Sequence, residues 1–225
     1  MTDLGDLAWP DVASRAAETV VVIPVGSTEQ HGPHLPLSTD THIAVALARR
    51  LASRRADMVI APAVPYGSSG EHAGFPGTLS IGQAALELML VELIRSADAF
   101  AGTLIVSAHG GNGEAVGRAV DLLRYEGRQV RAWSPPSVDP ADSHAGHTET
   151  SLLLALQPET VQAHQIQPGV RQPLDRLWPG VRRAGGGAVS PSGVLGDPTD
   201  ASAAAGEDLL SAWTEDLVRS LDGWP

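Results

Sequence analysis

Short runs of β-branched residues alternate along the chain with segments whose apolar residues recur at three- and four-residue spacing. That order builds a mostly parallel sheet covered by helices. Residues 19–25 (TVVVIPV) lack polar alternation, as expected of a strand buried on both faces. A helix is predicted over 41–56, with Ala44, Leu47, Ala48 and Leu51 on one face. Residues 58–64 (MVIAPAV) read as a second strand, with Pro62 placing it at an edge or an end. A helix over 83–99 repeats Leu86, Leu90, Leu93 and Ile94. Residues 103–107 form a third strand, 114–126 a helix burying Val116, Val120 and Leu123, and 129–133 a fourth strand.

Beyond this point the periodicity weakens. A helix is expected over 148–156, ended by Gln157-Pro158. Residues 165–199 show no period, and 184–197 (AGGGAVSPSGVLGD) read as a loop without Walker spacing. A closing amphipathic helix over 201–221 aligns Leu210, Trp213, Leu217 and Leu221. No internal repeat or linker divides the chain, so one α/β domain over 1–225 is expected.

Composition narrows the chemistry. All 15 basic residues are arginine, and there is no cysteine. Thiolate nucleophiles, Cys-ligated metals, Schiff-base lysines and the P-loop lysine are excluded. A formal charge of −11 argues against nucleic-acid binding. No apolar stretch reaches the roughly 18 residues of a spanning helix, so no membrane partner is expected. The first residues carry acids and no basic n-region, so a cytoplasmic location is expected.

What remains is eight histidines and the carboxylates. Three segments gather them just after predicted strands, where open α/β sheets bind ligands. The first holds Glu29, His31 and His34, then Asp40 at a helix start, where it could cap and ligate at once. The second, SAHGGNGE, holds His109, two glycines and Asn112 as the expected N-cap of the next helix. The third, DSHAGHTETS, holds His144, His147 and Glu149. Singly each has a plain structural reading as a polar loop, a turn or a dipole partner. Together they offer N and O ligands for two divalent metals of the zinc or manganese type. An Asp between them could bridge the pair, as in binuclear hydrolases.

The ordered motifs GSTEQHGPHLPL, STDT, PYGSSGEHAGFPGTLS, HGGN, HAGHTETS and SPSGVLGDP resemble the creatininase family of metal-dependent amidohydrolases. The resemblance implies a three-layer α/β sandwich, two divalent metal ions per subunit (zinc foremost, Fe(II) or Mn as alternatives) and a homo-oligomer, commonly a hexamer. It implies Glu29, His31, Asp40 and His109 as metal ligands, with Asp40 bridging. Creatinine-hydrolysing members carry an aromatic residue and a Glu directly after the histidine matching His109, where this chain has Gly110 and Gly111. Glu149 is then expected as the fifth ligand or as an acid/base. For the tryptophan pair that closes over creatinine, the nearest residue here is Trp133. In compact length and in the form HAGHTETSLLLAL the chain is most similar to a peptidase branch. That branch releases a C-terminal Val-Tyr dipeptide from a radical-modified precursor peptide.

The expected chemistry is amide hydrolysis by metal-activated water. His144 is expected to protonate the leaving amine, and the N–H groups of Gly110 and Gly111 to face the oxyanion. His72 and His147 are expected near the substrate, His34 and His42 in structural roles, and His164 in none. Arg171, Arg176, Arg182 and Arg183 are candidates for a peptide carboxylate. Two alternatives stand beside this: hydrolysis of creatinine, another cyclic amide or a formamide, and a non-catalytic metal-binding assembly protein.

Overall fold

The computed structural model describes residues 3–225, apart from the side chains of Arg182 and Ala184. After a short helix α1 (Trp9–Ala13) the chain alternates as its pattern predicts: β1 (Val20–Val25), α2 (Thr39–Arg54), β2 (Met58–Ile60), α3 (Gly82–Arg95), β3 (Gly102–Ser107), α4 (Gly113–Tyr125) and β4 (Val130–Trp133). The second part is helical, with α5 (His147–Leu156), α6 (Leu174–Ala184), α7 (Gly186–Val189) and α8 (Ala203–Ser220).

All strand pairs are parallel, in the order β2-β1-β3-β4. β1 and β3 form the centre, pairing Val20 with Gly102 through to Val25 with Ser107. Successive side chains on a strand point to opposite faces. Val20, Val22, Leu104 and Val106 therefore pack under α2, α5 and α8, and Val21, Ile23, Val25 and Ile105 under α3 and α4. Every residue of β1 and β3 is buried, which explains their uninterrupted apolar character. The result is the expected three-layer α/β sandwich. Each fully buried leucine, such as Leu47, Leu86 or Leu153, contributes about 1.5–3 kcal/mol by leaving water.

Three expectations need correction. The strand expected over 58–64 stops at Ile60. Pro62 has no N–H to donate, and pairing returns only as an isolated bridge from Val64 to Val25. On α3 it is Val91, not Leu93, that completes the buried stripe; Leu93 is exposed. The stretch 165–199 is not devoid of periodic structure, because α6 and α7 lie inside it. Leu174, Leu177, Trp178 and Val181 have i, i+3, i+4, i+7 spacing, and Leu177 and Val181 are buried. Pro179 inside α6 hides that pattern, since proline normally ends a helix.

Candidate active site

The chain leaves β1 toward α2 on one face and leaves β3 toward α4 on the other. Their carboxyl ends border a crevice at the point where strand order reverses, the usual ligand position of such sheets. Gly26 ends β1 against the first turn of α2, where a Cβ would lie 2.4 Å from Thr41 Oγ1. Glycine alone permits this approach, which brings Glu29 and His31 beside Asp40. Asn112 ties the neighbouring loops together: its Nδ2 donates to the Gly26 carbonyl and its Oδ1 accepts from Ser68 N–H, both at 2.9 Å. It sits at the N-cap position of α4 but makes no cap bond, a correction to the expected role. Its amide is engaged between loops instead.

Asp40 does not cap α2 either. It lies inside the first turn, and the N-cap residue is Ser38. Asp40 Oδ2 accepts from Ser27 Oγ at 2.6 Å. Oδ1 is 3.2 Å from His31 Nε2, and Oδ2 is 3.3 Å from His109 Nδ1. One carboxylate oxygen thus faces each imidazole. His31 Nδ1 donates to the Glu29 backbone carbonyl at 3.1 Å, which leaves Nε2 free toward Asp40. His109 Nε2 donates to the Ser68 carbonyl at 3.0 Å, leaving Nδ1 for the same carboxylate.

Glu29 is fully buried, and neither of its oxygens has a hydrogen-bond partner. Three imidazoles surround it: His109 Nε2 at 3.2 Å, His72 Nε2 at 3.4 Å and His144 Nδ1 at 3.7 Å. A buried, unbonded carboxylate is costly unless cations neutralise it. The donor set therefore fits a metal centre. Ligand atoms lie within 4.8 Å of one another in Glu29/His31/Asp40, in His31/His144/Glu149 and in Glu29/His72/His144. His109 borders Glu29 and Asp40 through different ring nitrogens.

α5 delivers the remaining carboxylate. Glu149 Oε2 accepts from Ala145 N–H at 2.6 Å and lies 3.8 Å from His31 Nε2, so this side chain turns into the cluster. Ala145 adopts φ 52°, a left-handed conformation that costs about 1–3 kcal/mol outside glycine. The strain sits between His144 and the start of α5. His144 Nε2 donates to the Gln30 backbone carbonyl at 2.7 Å, while the Gln30 side-chain amide donates to His72 Nδ1 at 2.9 Å. Gln30 thus orients both histidines, although the sequence singled out only its neighbours.

Electrostatics follow this geometry. Burial disfavours a charged His31, yet Asp40 and then Glu149 overcome it and raise its pKa to about 10. His109 is raised to about 9, with burial outweighed by Glu29 and Asp40. Burial pushes Asp40 up, but His31 and His109 hold it well below the usual carboxylate range. Glu29 and Glu149 are raised to about 7, chiefly by burial. His144 is driven well below the usual imidazole range by burial and by the charge on His31.

A cavity of about 710 Å³ opens over the cluster, with Asp40, His72, His109, Gly110, Gly111 and Glu149 in its wall. Gly111 has no room for a side chain: a Cβ would lie 2.4 Å from His109 Nε2 and from the Ser68 carbonyl. His147 is not part of the wall. It opens α5 two residues before Glu149, about 200° away around the helix, and its backbone N–H donates to Asp142 Oδ1. Trp133 is buried under α8, donating from Nε1 to Asp216, so it is not the cavity's tryptophan. That place belongs to Trp178 of α6, which lines the cavity together with Glu71 and Gln83. Arg171, Arg176 and Arg183 are exposed and outside the wall, the latter two because α6 turns its apolar stripe inward; the Arg182 side chain lies outside the described residues. His34 and His42 bond Thr150 and Ser38, as structural roles require.

Comparison with known proteins identifies relatives of the whole chain. The creatininase (creatinine amidohydrolase) family pattern matches residues 5–221. The mycofactocin precursor peptide peptidase of Mycolicibacterium smegmatis is 52% identical over 211 residues, covering 91% of this chain and 85% of that protein. The protein of the same name from Mycobacterium tuberculosis is 50% identical over 214 residues, with the same coverage. A creatininase variant of Zn–Zn type superposes with a TM-score of 0.80 at 25% identity, covering 97% of this chain and 96% of that one. A manganese form gives 0.81 at 25% identity, covering 98% and 97%. The pattern match over nearly the whole chain, with half of the aligned residues identical in these relatives, makes this protein a member of the creatininase family.

Proposed function

We propose that this chain is a binuclear metal-dependent peptidase that releases the C-terminal Val-Tyr dipeptide from the modified mycofactocin precursor peptide. The carrying observation is Glu29, a fully buried carboxylate without a hydrogen bond, ringed by three imidazoles. Glu29, Asp40 and His109 would hold one cation, and His31, Asp40 and Glu149 the other, zinc first among Zn, Mn and Fe(II). Bound there, divalent cations polarise the scissile carbonyl and acidify water.

The chain's own groups do the rest. Neutral His144 keeps its Nε2–H on the Gln30 carbonyl, so Nδ1 takes a proton from the attacking water and passes it to the leaving amine. Gly110 lies in the wall beside this path and Gly111 keeps His109 in place. A cavity of about 710 Å³ supports a peptide over a small cyclic amide. A homo-oligomer belongs to the same reading, supported by Leu88 and Tyr125, which leave apolar side chains exposed on α3 and α4.

The test is direct. Metal-loaded protein is incubated with the modified precursor, with creatinine and with a formamide, and products are read by mass spectrometry. Dipeptide release that a chelator stops and zinc or manganese restores is the expected result. Turnover of creatinine or the formamide alone would establish the alternative amidohydrolase, and no turnover of any probe would leave a non-catalytic protein.

A further inference from the structure

Gln30 lies between Glu29 and His31 in the chain and is buried with them, and its side-chain amide has one orientation. Oε1 accepts from the Gly32 N–H at 2.9 Å, and Nε2 donates to the Gly193 carbonyl at 3.2 Å. Exchanging the two atoms would set oxygen against a carbonyl and an NH2 group against an N–H. Gly193, at φ 79°, makes room for this arrangement, since a Cβ on it would lie 1.8 Å from Gln30 Oε1. The second Nε2 proton goes to His72 Nδ1 at 2.9 Å.

A ring nitrogen that accepts a hydrogen bond carries no proton, so His72 bears its proton on Nε2. That atom is the one 3.4 Å from Glu29 Oε1. His72 therefore shows Glu29 an N–H and no lone pair. His144, stacked on His72 with ring centroids 4.4 Å apart, does the opposite. Its Nε2 donates to the Gln30 backbone carbonyl at 2.7 Å, which leaves the lone pair on Nδ1, 3.7 Å from the same Glu29 oxygen. Gln30 Nε2 also lies 2.9 Å from His144 Nε2, but both of its protons are already placed and that ring nitrogen is itself a donor.

We infer that Gln30 is a positioning residue that selects the tautomers of both histidines and so keeps the Glu29/His72/His144 group from holding a cation. The ligand atoms of that group are close enough for an ion. Coordination, however, needs a lone pair on each of them, and His72 Nε2 has none. A cation there would have to push the His72 proton onto Nδ1, against the Gln30 NH2 group. Cations are thus confined to the other groups, and His144 Nδ1 is not drawn into a third site but stays open for its proton transfer. The inference rests on the metal-dependent peptidase reading above.

The experiment uses zinc-loaded protein isotopically labelled at the histidine nitrogens. Nitrogen resonance positions report the tautomer of each ring, elemental analysis counts zinc, and the His72 signals are assigned by their loss in His72→Gln. The unaltered protein is expected to show His72 with bare Nδ1 and protonated Nε2, and to hold two zinc equivalents that His72→Gln retains. Gln30→Glu keeps the shape but presents an oxygen to His72 Nδ1. It should reverse the His72 tautomer and admit a third zinc equivalent, with kcat falling about a hundredfold and KM moving less than about twofold as His144 Nδ1 is taken up. A zinc-bound or Nδ1-protonated His72 in the unaltered protein, or loss of zinc in His72→Gln, would overturn the inference, and neither result needs Gln30→Glu to fold. An unmoved tautomer or zinc count in folded Gln30→Glu would overturn it as well. Absence of bound zinc and of precursor cleavage in the unaltered protein would instead remove the peptidase reading, with the His72 tautomer still decided by its spectrum.

Discussion

Asp40 carries the most concentrated chemical logic of the molecule. Its two oxygens face His31 and His109 separately, and Ser27 fixes its orientation. Asp40→Ala should therefore lose both metal equivalents and all turnover, with metal content read by elemental analysis. Retention of both metals would refute the bridging scheme. Gly111 makes a different kind of demand. A Cβ there must displace His109 or the Ser68 carbonyl, each only 2.4 Å away. Gly111→Ala is expected to destabilise by about 1–3 kcal/mol, as overpacking does, and to lower activity far more than stability. Gly110 has nothing within 4 Å of its Cβ position, so Gly110→Ala is the control that should fold normally. Equal activity of the two variants would show that His109 is not held this way.

At the scale of elements, the helical second part is held to the sheet by α5 against α8. Gly206 makes that contact close, since a Cβ on it would lie 1.9 Å from the Ser151 carbonyl. Gly206→Ala should force the helices apart and cost about 2 kcal/mol or more, roughly 4–8 °C in Tm for a chain of this size. Because α5 carries Glu149, metal affinity should fall with it. An unchanged Tm by calorimetry would mean that the α5–α8 contact is not limiting. Helices with clean periodicity, such as α4 and α8, are legible in the sequence. α6 is not, because Pro179 interrupts its stripe and the surrounding glycines and prolines resemble a loop.

Over the whole molecule, the charge of −11 and the buried cluster together make stability depend on protons and metal. Without metal, the fold holds protons on His31 and His109 up to about 10 and 9, above the unfolded 6.5. That stabilisation is complete below pH 6.5 and is lost as pH rises through 9 to 10. Glu29 and Glu149, raised from 4.5 to about 7, act in the same sense: their contribution is complete below 4.5 and lost as pH rises through 7. Asp40, held low, opposes them only in acid, its contribution disappearing below its unfolded value of 3.8. His34, His72 and His144, kept neutral chiefly by burial, contribute stability that is complete above 6.5 and lost as pH falls. Metal-stripped protein should thus lose stability as pH rises from about 6.5 to 10. Metal-loaded protein should show a flatter profile, because cations replace those protons, and metal uptake should release protons. Melting curves across pH with and without chelator test this. Parallel profiles would show that the cluster does not hold metal.

Local pattern determines a good deal unaided. β1 and β3 are legible because a strand covered on both faces must be apolar throughout, and the histidine segments stand out because the loops after such strands collect chemistry. The absence of Lys and Cys leaves metal-activated water as the strongest route. Three-dimensional placement decides the rest. Whether Glu149 faces the site or solvent depends on the rotation of α5, set by its packing on α8. That Asn112 and Gln30 tie loops and orient histidines depends on partners as far away as Gly26, Ser68, His72 and Gly193. Trp178, not Trp133, lines the cavity because α6 packs its stripe inward. Periodicity reports which face of an element is apolar; which neighbour that face meets is a long-range property, and it emerges only when the layers pack.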